Sequence, residues 1–342
     1  LELAYRGERL PDPDGDYRTY VLASRATSHA RGTDPADLRA ELDAIVDDFP
    51  AGNVLPKVCE AADLVAPTMR RLHTRLSRED TQRLSSAARN AEVSVSAVLL
   101  TLYACSLSLW SLDDAVGVNV TTYNRDSDVA PAEGVFGDFT GSVLLGFSEL
   151  GTRNLKDLVQ ETQRRLIDHM EMGYSGVRLI GEISGRRGLW GQAVAPFVYT
   201  SLLLGRGDRA AEEVVSPSVL GDVVYAVSQT PQVLLDHQVL DTGGRLSIAW
   251  DFVEQVLDPV MMECVFAHFA ATLDTIVADG TWTLAPVPVA DVLRLKKQLG
   301  VGASATGDRP SAAIASGVLT VGDPEVIRQV CELAGRDLPT RI

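Results

Sequence analysis

The chain has 342 residues, of which 46 % are hydrophobic, enough for a sizeable core and too many for an intrinsically disordered protein. Its net charge of −15 at pH 7, without any run of Lys or Arg, argues against nucleic acid or an anionic membrane as a partner. The four cysteines are far apart and the five histidines are scattered, so we predict reduced thiols in a cytoplasmic protein and no metal site.

The first third of the chain is predicted to be mainly helical. Helices are expected over Tyr17–Arg25, Asp34–Phe49 and Ser77–Arg89, the last with acidic residues near its start. Residues 60–75 have the composition of an extended strand. Val93–Trp110 is apolar almost all round, which is typical of a helix buried in a large domain. Ser and Thr interrupt it too often for a membrane span, and no other segment predicts one.

The middle of the chain alternates strands with helices. The pattern predicts strands at Val116–Thr122, Gly137–Gly146 and Phe197–Leu204, and helices at Leu155–Glu171 and Val177–Ile183. This alternation is typical of an α/β layered domain.

The last third is predicted to contain a strand at Val214–Val227, a β-hairpin, and a closing helix at Asp258–Val277. After residue 285 the composition is that of a linker, followed by a short isolated helix at Asp323–Arg336.

The predicted hairpin is the most informative segment. Two apolar runs, 232–240 and 245–252, are joined by Asp-Thr-Gly-Gly, whose glycines allow the positive φ angles of a tight reversal. The period of two places Gln232, Asp236 and Gln238 on one face of the first strand. Because Asp is disfavoured in strands, Asp236 is expected to have a partner or a task; the alternative is a solvated position on an edge strand.

The segment resembles the last signature motif of the heterocyclization domains of non-ribosomal peptide synthetases, a branch of the condensation-domain superfamily. Ser228-Gln-Thr-Pro-Gln-Val-Leu-Leu-Asp236, a gap of thirteen residues and Trp250-Asp251 fit that motif at every specified position. Three further segments are similar to family motifs in the same order: Ser94 to Trp110, with Val95 in place of the usual Pro; Gly137 to Thr140, with Ser142 in place of a common Leu; and Pro196 to Leu203.

The resemblance implies a chloramphenicol-acetyltransferase-like layered sandwich, the condensation-domain fold, in which two lobes face each other across a tunnel. We expect residues 1–90 to be the end of the N-terminal lobe with connecting helices, 91–285 to be a complete C-terminal lobe, and 286–342 to be a linker and tail. The chain starts at Leu1 and contains no copy of the family's Asp-x4-Asp-x2-Ser motif. The first part of the N-terminal lobe is therefore expected to lie upstream or in a separate chain.

The function that the resemblance implies is heterocyclization. A carrier-tethered acyl donor is joined to the amine of a tethered Cys, Ser or Thr, and the new amide is cyclodehydrated to a thiazoline or oxazoline. The family positions make Asp236 the acid/base and Thr200 the hydroxyl that orients it or the substrate. A single carboxylate that loses and regains a proton in a water-poor tunnel suits both halves of ring closure.

The remaining site residues are expected to bind substrate: Gln232, Ser201, Ser228, Asp138 and Thr140. For Asp138 and Thr140, capping of a turn is an equally good alternative. No cofactor or metal is expected to bind directly, because the substrates are attached to the phosphopantetheine of donor and acceptor peptidyl carrier proteins. Adjacent synthetase domains are the other expected partners.

Two alternatives remain open from the sequence. One is a condensation or acyltransfer domain that makes only the amide, which would need a His-His motif; the other is a non-catalytic fragment that docks carrier proteins. The segment from His237 to Gly243 is similar to the acetyltransferase pattern His-His-x3-Asp-Gly, but it has one His and an extra residue before Gly. The hairpin turn already explains its Asp, Thr and Gly.

Overall fold

A computed structural model of the chain describes residues 6–285 apart from 10–11, 13–14, 31–34, 53–54, 112–114, 124, 126–134, 151–152 and 204–225. The strand predicted at Val214–Val227 lies almost entirely outside the described residues, and the predicted linker and terminal helix lie wholly outside them.

The described part contains seven α-helices and six strands. The helices are α1 Tyr17–Ala30, α2 Pro35–Asp48, α3 Arg78–Asn90, α4 Val95–Ser108, α5 Leu155–Glu171, α6 Gly176–Arg187 and α7 Pro259–Asp279. The strands are β1 Met69–Arg75, β2 Ala115–Tyr123, β3 Thr140–Ser148, β4 Phe197–Leu202, β5 Leu235–Asp241 and β6 Leu246–Val253. The predicted bounds of α5 are confirmed, whereas α1 and α6 are longer than predicted.

Local sequence sets where several helices begin. Ser77, Ser94, Ser175 and Asp258 stand before α3, α4, α6 and α7, and each side chain accepts a hydrogen bond from the backbone N–H three residues on. Such caps satisfy a donor that the first helical turn would otherwise leave without a partner.

The strands form one mixed sheet in the order β1-β6-β5-β4-β2-β3. β4 pairs in parallel with both β5 and β2, and the other neighbours are antiparallel. The predicted hairpin is confirmed, because β5 and β6 are joined by a turn in which Gly243 and Gly244 have φ angles of 66° and 81°. Those angles lie in the left-handed region that glycine adopts without steric cost.

The main core lies between one face of the sheet and the layer formed by α3, α4, α5 and α7. Its largest fully buried side chains include Trp250, Tyr103, Tyr199 and Phe252. Every residue of α4 from Ala97 to Ser108 is buried, so the predicted central helix is confirmed. The alternation of β5 directs Leu235, His237 and Val239 into this core.

Helices α2 and α6 cover only one end of the opposite sheet face. Their apolar side chains form a second cluster with Leu144 of β3. The chain after α2 approaches the sheet so closely that a Cβ on Gly117 of β2 would lie 2.2 Å from the backbone oxygen of Pro50. The rest of this face holds the polar residues described below.

The structure bears on two expectations drawn from composition, the absence of a membrane-spanning segment and the reduced state of the cysteines. Helix α7 is long and apolar enough to cross a membrane by composition alone, but its apolar side chains, such as Val265 and Phe269, are buried in the core. Cys59 and Cys105 are free, whereas Cys264 is disulfide-bonded, so the prediction of four reduced cysteines is wrong at that position.

The lobe boundary expected at residue 90 remains a prediction, but residues on both sides of it contribute to the sheet. Strand β1 forms its edge beside β6, and α3 packs on α7, so residues 69–90 fold together with the elements that follow them. The sequence predicted the strand at 60–75 but not its partner, because strand pairing over such a separation has no local signal.

Candidate active site

A row of polar side chains crosses the sheet on the face opposite the main core, and we call it the polar row. Cross-strand register places these residues side by side, from the β1 edge inwards. Its members are Arg71 of β1, Asp251 of β6, Asp236 and Gln238 of β5, Thr200 of β4 and Thr121 of β2.

Asp236 is the carboxylate at the centre of the polar row, and its side chain is almost completely buried, with 6 % of the residue exposed. One oxygen, Oδ2, accepts a hydrogen bond from Gln238 Nε2 at 2.9 Å. The other, Oδ1, faces the Thr200 hydroxyl at 3.5 Å. Within the described part of the chain, Asp236 has no ion pair, so Gln238 is its strongest partner.

Asp251 is the second carboxylate, and it is held very differently. Arg71 donates two hydrogen bonds to it, from Nε to Oδ1 at 2.7 Å and from Nη2 to Oδ2 at 2.6 Å. The backbone N–H of Ser228 adds a third at 2.6 Å. Such a bidentate pair satisfies a buried carboxylate in charge and in hydrogen bonding. Asp251 is therefore a fixed structural anion.

Hydroxyl groups continue the polar row beyond Asp236. Thr200 Oγ1 lies 3.1 Å from Thr121 Oγ1 on the neighbouring strand. Asn119, two residues before Thr121 and on the same face, has a buried side-chain oxygen without a hydrogen-bond partner in the described part of the chain. The face thus presents hydroxyl and amide groups beside a buried carboxylate.

His237 lies on the other face of β5, among the aromatic rings of the core. Its Nδ1 accepts a hydrogen bond from Trp250 Nε1 at 3.0 Å, and burial lowers the pKa of His237 to about 3. Tyr103, Tyr199 and Phe269 contact the imidazole edge to face. This packing excludes His237 as a base on the face that holds Asp236.

Comparison with known proteins identifies the family. The sequence model of the Condensation domain family matches residues 2–290.

The chain belongs to the condensation-domain family.

Several relatives of this condensation domain have descriptive names. Phenyloxazoline synthase MbtB of Mycobacterium sp. (strain MCS) is 33 % identical over 294 residues, which are 84 % of this chain and 24 % of that protein. Pyochelin synthetase PchE of Pseudomonas aeruginosa (strain UCBPP-PA14) is 30 % identical over 287 residues, 82 % of this chain and 19 % of that protein. The chain thus spans about a quarter or less of the length of these two relatives.

Solved structures support the predicted condensation-domain fold. The EpoB cyclization-docking bidomain from Sorangium cellulosum has a TM-score of 0.70 at 26 % identity, over 81 % of this chain and 55 % of that one. The condensation domain of the polyketide synthase MokA, at 12 % identity, has a TM-score of 0.60 over 83 % of this chain and 66 % of that one. The predicted fold class is confirmed.

The condensation domain brings together some of the predicted site residues. Asp236 and Thr200 lie on neighbouring strands and on the same face, as the sequence indicated, although their catalytic roles remain predictions. Ser228 also reaches the polar row, but its contact is a backbone N–H to Asp251.

Other predicted site residues lie elsewhere. Gln232 precedes β5 and is exposed in a turn with a φ angle of 67°, so its predicted strand position beside Asp236 is wrong. Ser201 alternates with Thr200 and therefore lies on the opposite face, near the Tyr199 hydroxyl. Neither side chain can join the polar row in this arrangement.

Asp138 lies in an exposed turn that leads into β3, and Thr140 is the first residue of that strand. The Thr140 backbone N–H donates to Asp138 Oδ1 at 2.9 Å, and hydrogen bonds from the Thr140 hydroxyl and backbone lower the pKa of Asp138. The Tyr17 hydroxyl donates to the Asp138 backbone oxygen. The turn-capping alternative accounts for these contacts, and a role in substrate binding remains a prediction.

Arg71 and Thr121 were missed as site residues, and Gln238 and Asp251 were seen only as motif or face positions. Alternation predicted the sheet face of Gln238, but it could not predict the contact with Arg71 of β1, which is 167 residues away in the sequence. The sequence contained two signals, the positive charge of Arg71 in a predicted strand and the motif Asp251 directly after Trp250. Only the pairing of β1 with β6 shows that these two residues belong together.

Proposed function

We propose that this condensation domain catalyses heterocyclization. It joins a carrier-tethered acyl group to the amine of a carrier-tethered Cys, Ser or Thr, and it then cyclodehydrates the product to a thiazoline or oxazoline. The main support is the buried carboxylate of Asp236, held beside the Thr200 hydroxyl within a sequence that fits the heterocyclization motif. Relatives named phenyloxazoline synthase and a solved cyclization domain add support.

The amide step depends mainly on positioning. The acceptor amine attacks the carbonyl carbon of the donor thioester, the carbon–sulfur bond breaks, and the donor carrier leaves as its thiol after proton transfer. Bringing two tethered reactants together in the right orientation contributes much of the rate in such a reaction. The hydroxyl groups of the polar row, on Thr200 and Thr121, can orient the carbonyl without exchanging a proton.

Ring closure requires repeated proton transfer. The thiol or hydroxyl of the acceptor attacks the new amide carbonyl, and its proton passes to Asp236 and then to the former carbonyl oxygen. The resulting hydroxyl leaves as water when the amide N–H proton follows the same route and a carbon–nitrogen double bond forms. A carboxylate without a permanent cation can accept and release both protons, whereas Asp251 is tied to Arg71.

The proposed partners follow from this chemistry. Donor and acceptor peptidyl carrier proteins present both reactants on phosphopantetheine, so the domain itself needs no bound cofactor or metal. We propose that it acts in the cytoplasm next to other synthetase domains.

Product mass is the direct test. A donor carrier loaded with a benzoyl group and acceptor carriers loaded with Cys or Thr would be incubated with the full-length protein, and the carrier-bound products weighed. Heterocyclization gives a product lighter than the linear amide by one water. Accumulation of only the linear amide would instead identify an amide-forming condensation domain, and unreacted carriers would favour a docking role.

A further inference from the structure

The Gln238 amide has only one orientation that satisfies both of its neighbours. Arg71 Nη2 donates to Gln238 Oε1 at 3.2 Å, and an arginine has no acceptor, so the amide oxygen must face it. Gln238 Nε2 then points towards Asp236 Oδ2 at 2.9 Å and towards Asp251 Oδ2 at 3.5 Å. Both are carboxylate oxygens, which accept the two amide protons.

The same contacts balance an unfavourable pair of charges. Asp236 and Asp251 are directly opposite on the antiparallel strands β5 and β6. Like charges in that position repel each other, and strongly so when both are buried. Arg71 neutralises Asp251, and Gln238 offers each carboxylate a donor. The edge strand β1 thus supplies a charge that acts on a carboxylate two strands away.

We propose that Gln238, held in one orientation by Arg71, is a positioning residue that hydrogen-bonds the Asp236 carboxylate and turns Oδ1 towards Thr200 as the proton-exchanging oxygen. This inference rests on the proposed function. Oδ2 is occupied by the Gln238 donor, whereas among the described residues Oδ1 has only the longer contact to the Thr200 hydroxyl. The reacting proton therefore enters and leaves on the Thr200 side of the carboxyl group.

Other charged groups around Asp236 are few in the described part of the chain. His73 of β1 lies on the same face, two residues beyond Arg71, and is exposed. From the core side, the buried Tyr103 hydroxyl interacts with the Asp236 charge. Burial raises the pKa of Tyr103 well above its ordinary value, and the Asp236 charge adds a smaller effect in the same direction. The Tyr103 hydroxyl supplies no positive charge.

The first test is Gln238→Met, which removes the amide but leaves the Arg71–Asp251 ion pair intact. A hydrogen bond to a charged group favours the ionised form, so its loss should move the acid limb of the ring-closure pH profile upwards by about one pH unit or more. Amide formation should keep its rate and its pH profile. A limb that stays in place while both products decline equally at all pH values overturns the proposal.

A second set of variants compares two neighbouring arginines. Arg71→Met should move the same limb upwards, and Arg71→Lys should recover part of the shift because it restores the charge. Arg70→Met is the matched control, since Arg70 pairs with Glu263 and its side chain is 28 % exposed, against 27 % for Arg71. Equal effects of the two Met variants would overturn the proposal.

A measurement without turnover separates this inference from the proposed function. Aspartate carboxyl ¹³C signals of the ligand-free protein would be titrated by NMR, with the Asp236 signal identified by its loss in Asp236→Asn. In Gln238→Met that signal should titrate at higher pH than in the wild type. If no ring product forms from any probe but the signal moves, the proposed function fails and the positioning role stands; an unmoved signal overturns the positioning role.

Discussion

Replacing each of the two opposed carboxylates by its amide should give two different phenotypes. In Asp236→Asn, the new side-chain oxygen can accept the hydrogen bond from Gln238, and the new NH2 group can donate to the Thr200 hydroxyl, which can turn towards Thr121. The packing and the hydrogen bonds remain, and only the titratable proton is lost. Ring closure should therefore fall while the fold is preserved.

The size of the effect follows from the proposed role. A positioned general acid or base contributes about 10²- to 10⁴-fold, so ring formation should fall by that factor. Asp251→Asn makes the same chemical change, but it breaks a bidentate ion pair whose carboxylate is fully buried. Breaking a buried pair costs about 3–5 kcal/mol. We expect a loss of unfolding free energy at the low end of that range, because the Arg71 side chain is 27 % exposed to solvent.

The assay compares both variants by single-turnover mass spectrometry of carrier-bound products and by urea unfolding. Asp236→Asn should accumulate linear amide at a nearly normal rate with a normal unfolding midpoint, and Asp251→Asn should unfold at lower urea concentration. Undiminished ring formation in Asp236→Asn would remove Asp236 from the mechanism. An equal fall in amide and ring would point to a shared step.

Three further changes test other parts of the structure. Thr200→Val should slow ring closure by about five-fold, equivalent to a ~1 kcal/mol hydrogen bond, with recovery in Thr200→Ser, measured in the same product assay. Gly117→Ala should lower the free energy of unfolding by about 1–3 kcal/mol in urea titrations, because its Cβ would overlap the chain after α2, whereas Gly181→Ala, with nothing within 4 Å of its Cβ, should not destabilise. Burial lowers the pKa of His237 to about 3 and of His268 to about 4, below the ordinary value of 6.5. The unfolded chain therefore binds more protons below pH 6.5, and stability should fall by up to ~1.4 kcal/mol per pH unit for each histidine as the pH drops towards 4. His237→Gln should reduce that slope in urea titrations between pH 7 and 5.

Local sequence patterns predicted the elements well where one residue type decides the conformation. The glycines of the β5–β6 turn and the all-apolar α4 both follow from rules that need no knowledge of the rest of the chain. The alternation of β5 also assigned Asp236 and His237 to opposite faces correctly.

The failure at Gln232 has a specific cause. The Val233 backbone N–H donates to the Thr230 backbone oxygen at 3.1 Å, which closes a turn over Thr-Pro-Gln-Val. Pro231 occupies the second position of that turn, where proline is favoured, and Gln232 has the left-handed φ angle of the third. The proline was the available signal, because a turn with Pro at its second position places the next residue, Gln232, in the turn and not in the strand.

Long-range pairing explains what the sequence could not predict about the site. Nothing near Arg71 indicates that β1 pairs with β6, and without that pairing Asp251 has no visible counter-ion. Gln238 likewise has a clear face but no visible partner until Arg71 lies beside Asp251. The positions of the polar row depend on sheet register, which is set by the whole core.

The polar row also makes the site a late product of folding. Its contacts join residues that are 180, 79 and 36 positions apart, between Arg71 and Asp251, Thr121 and Thr200, and Thr200 and Asp236. Closing such long loops costs conformational entropy before the contacts form and stabilise the chain, which slows folding. No single hairpin or helix pair can assemble the row in advance. An intermediate that lacks the β1 edge would therefore keep most of its core and secondary structure while it lacks the ion pair beside Asp236.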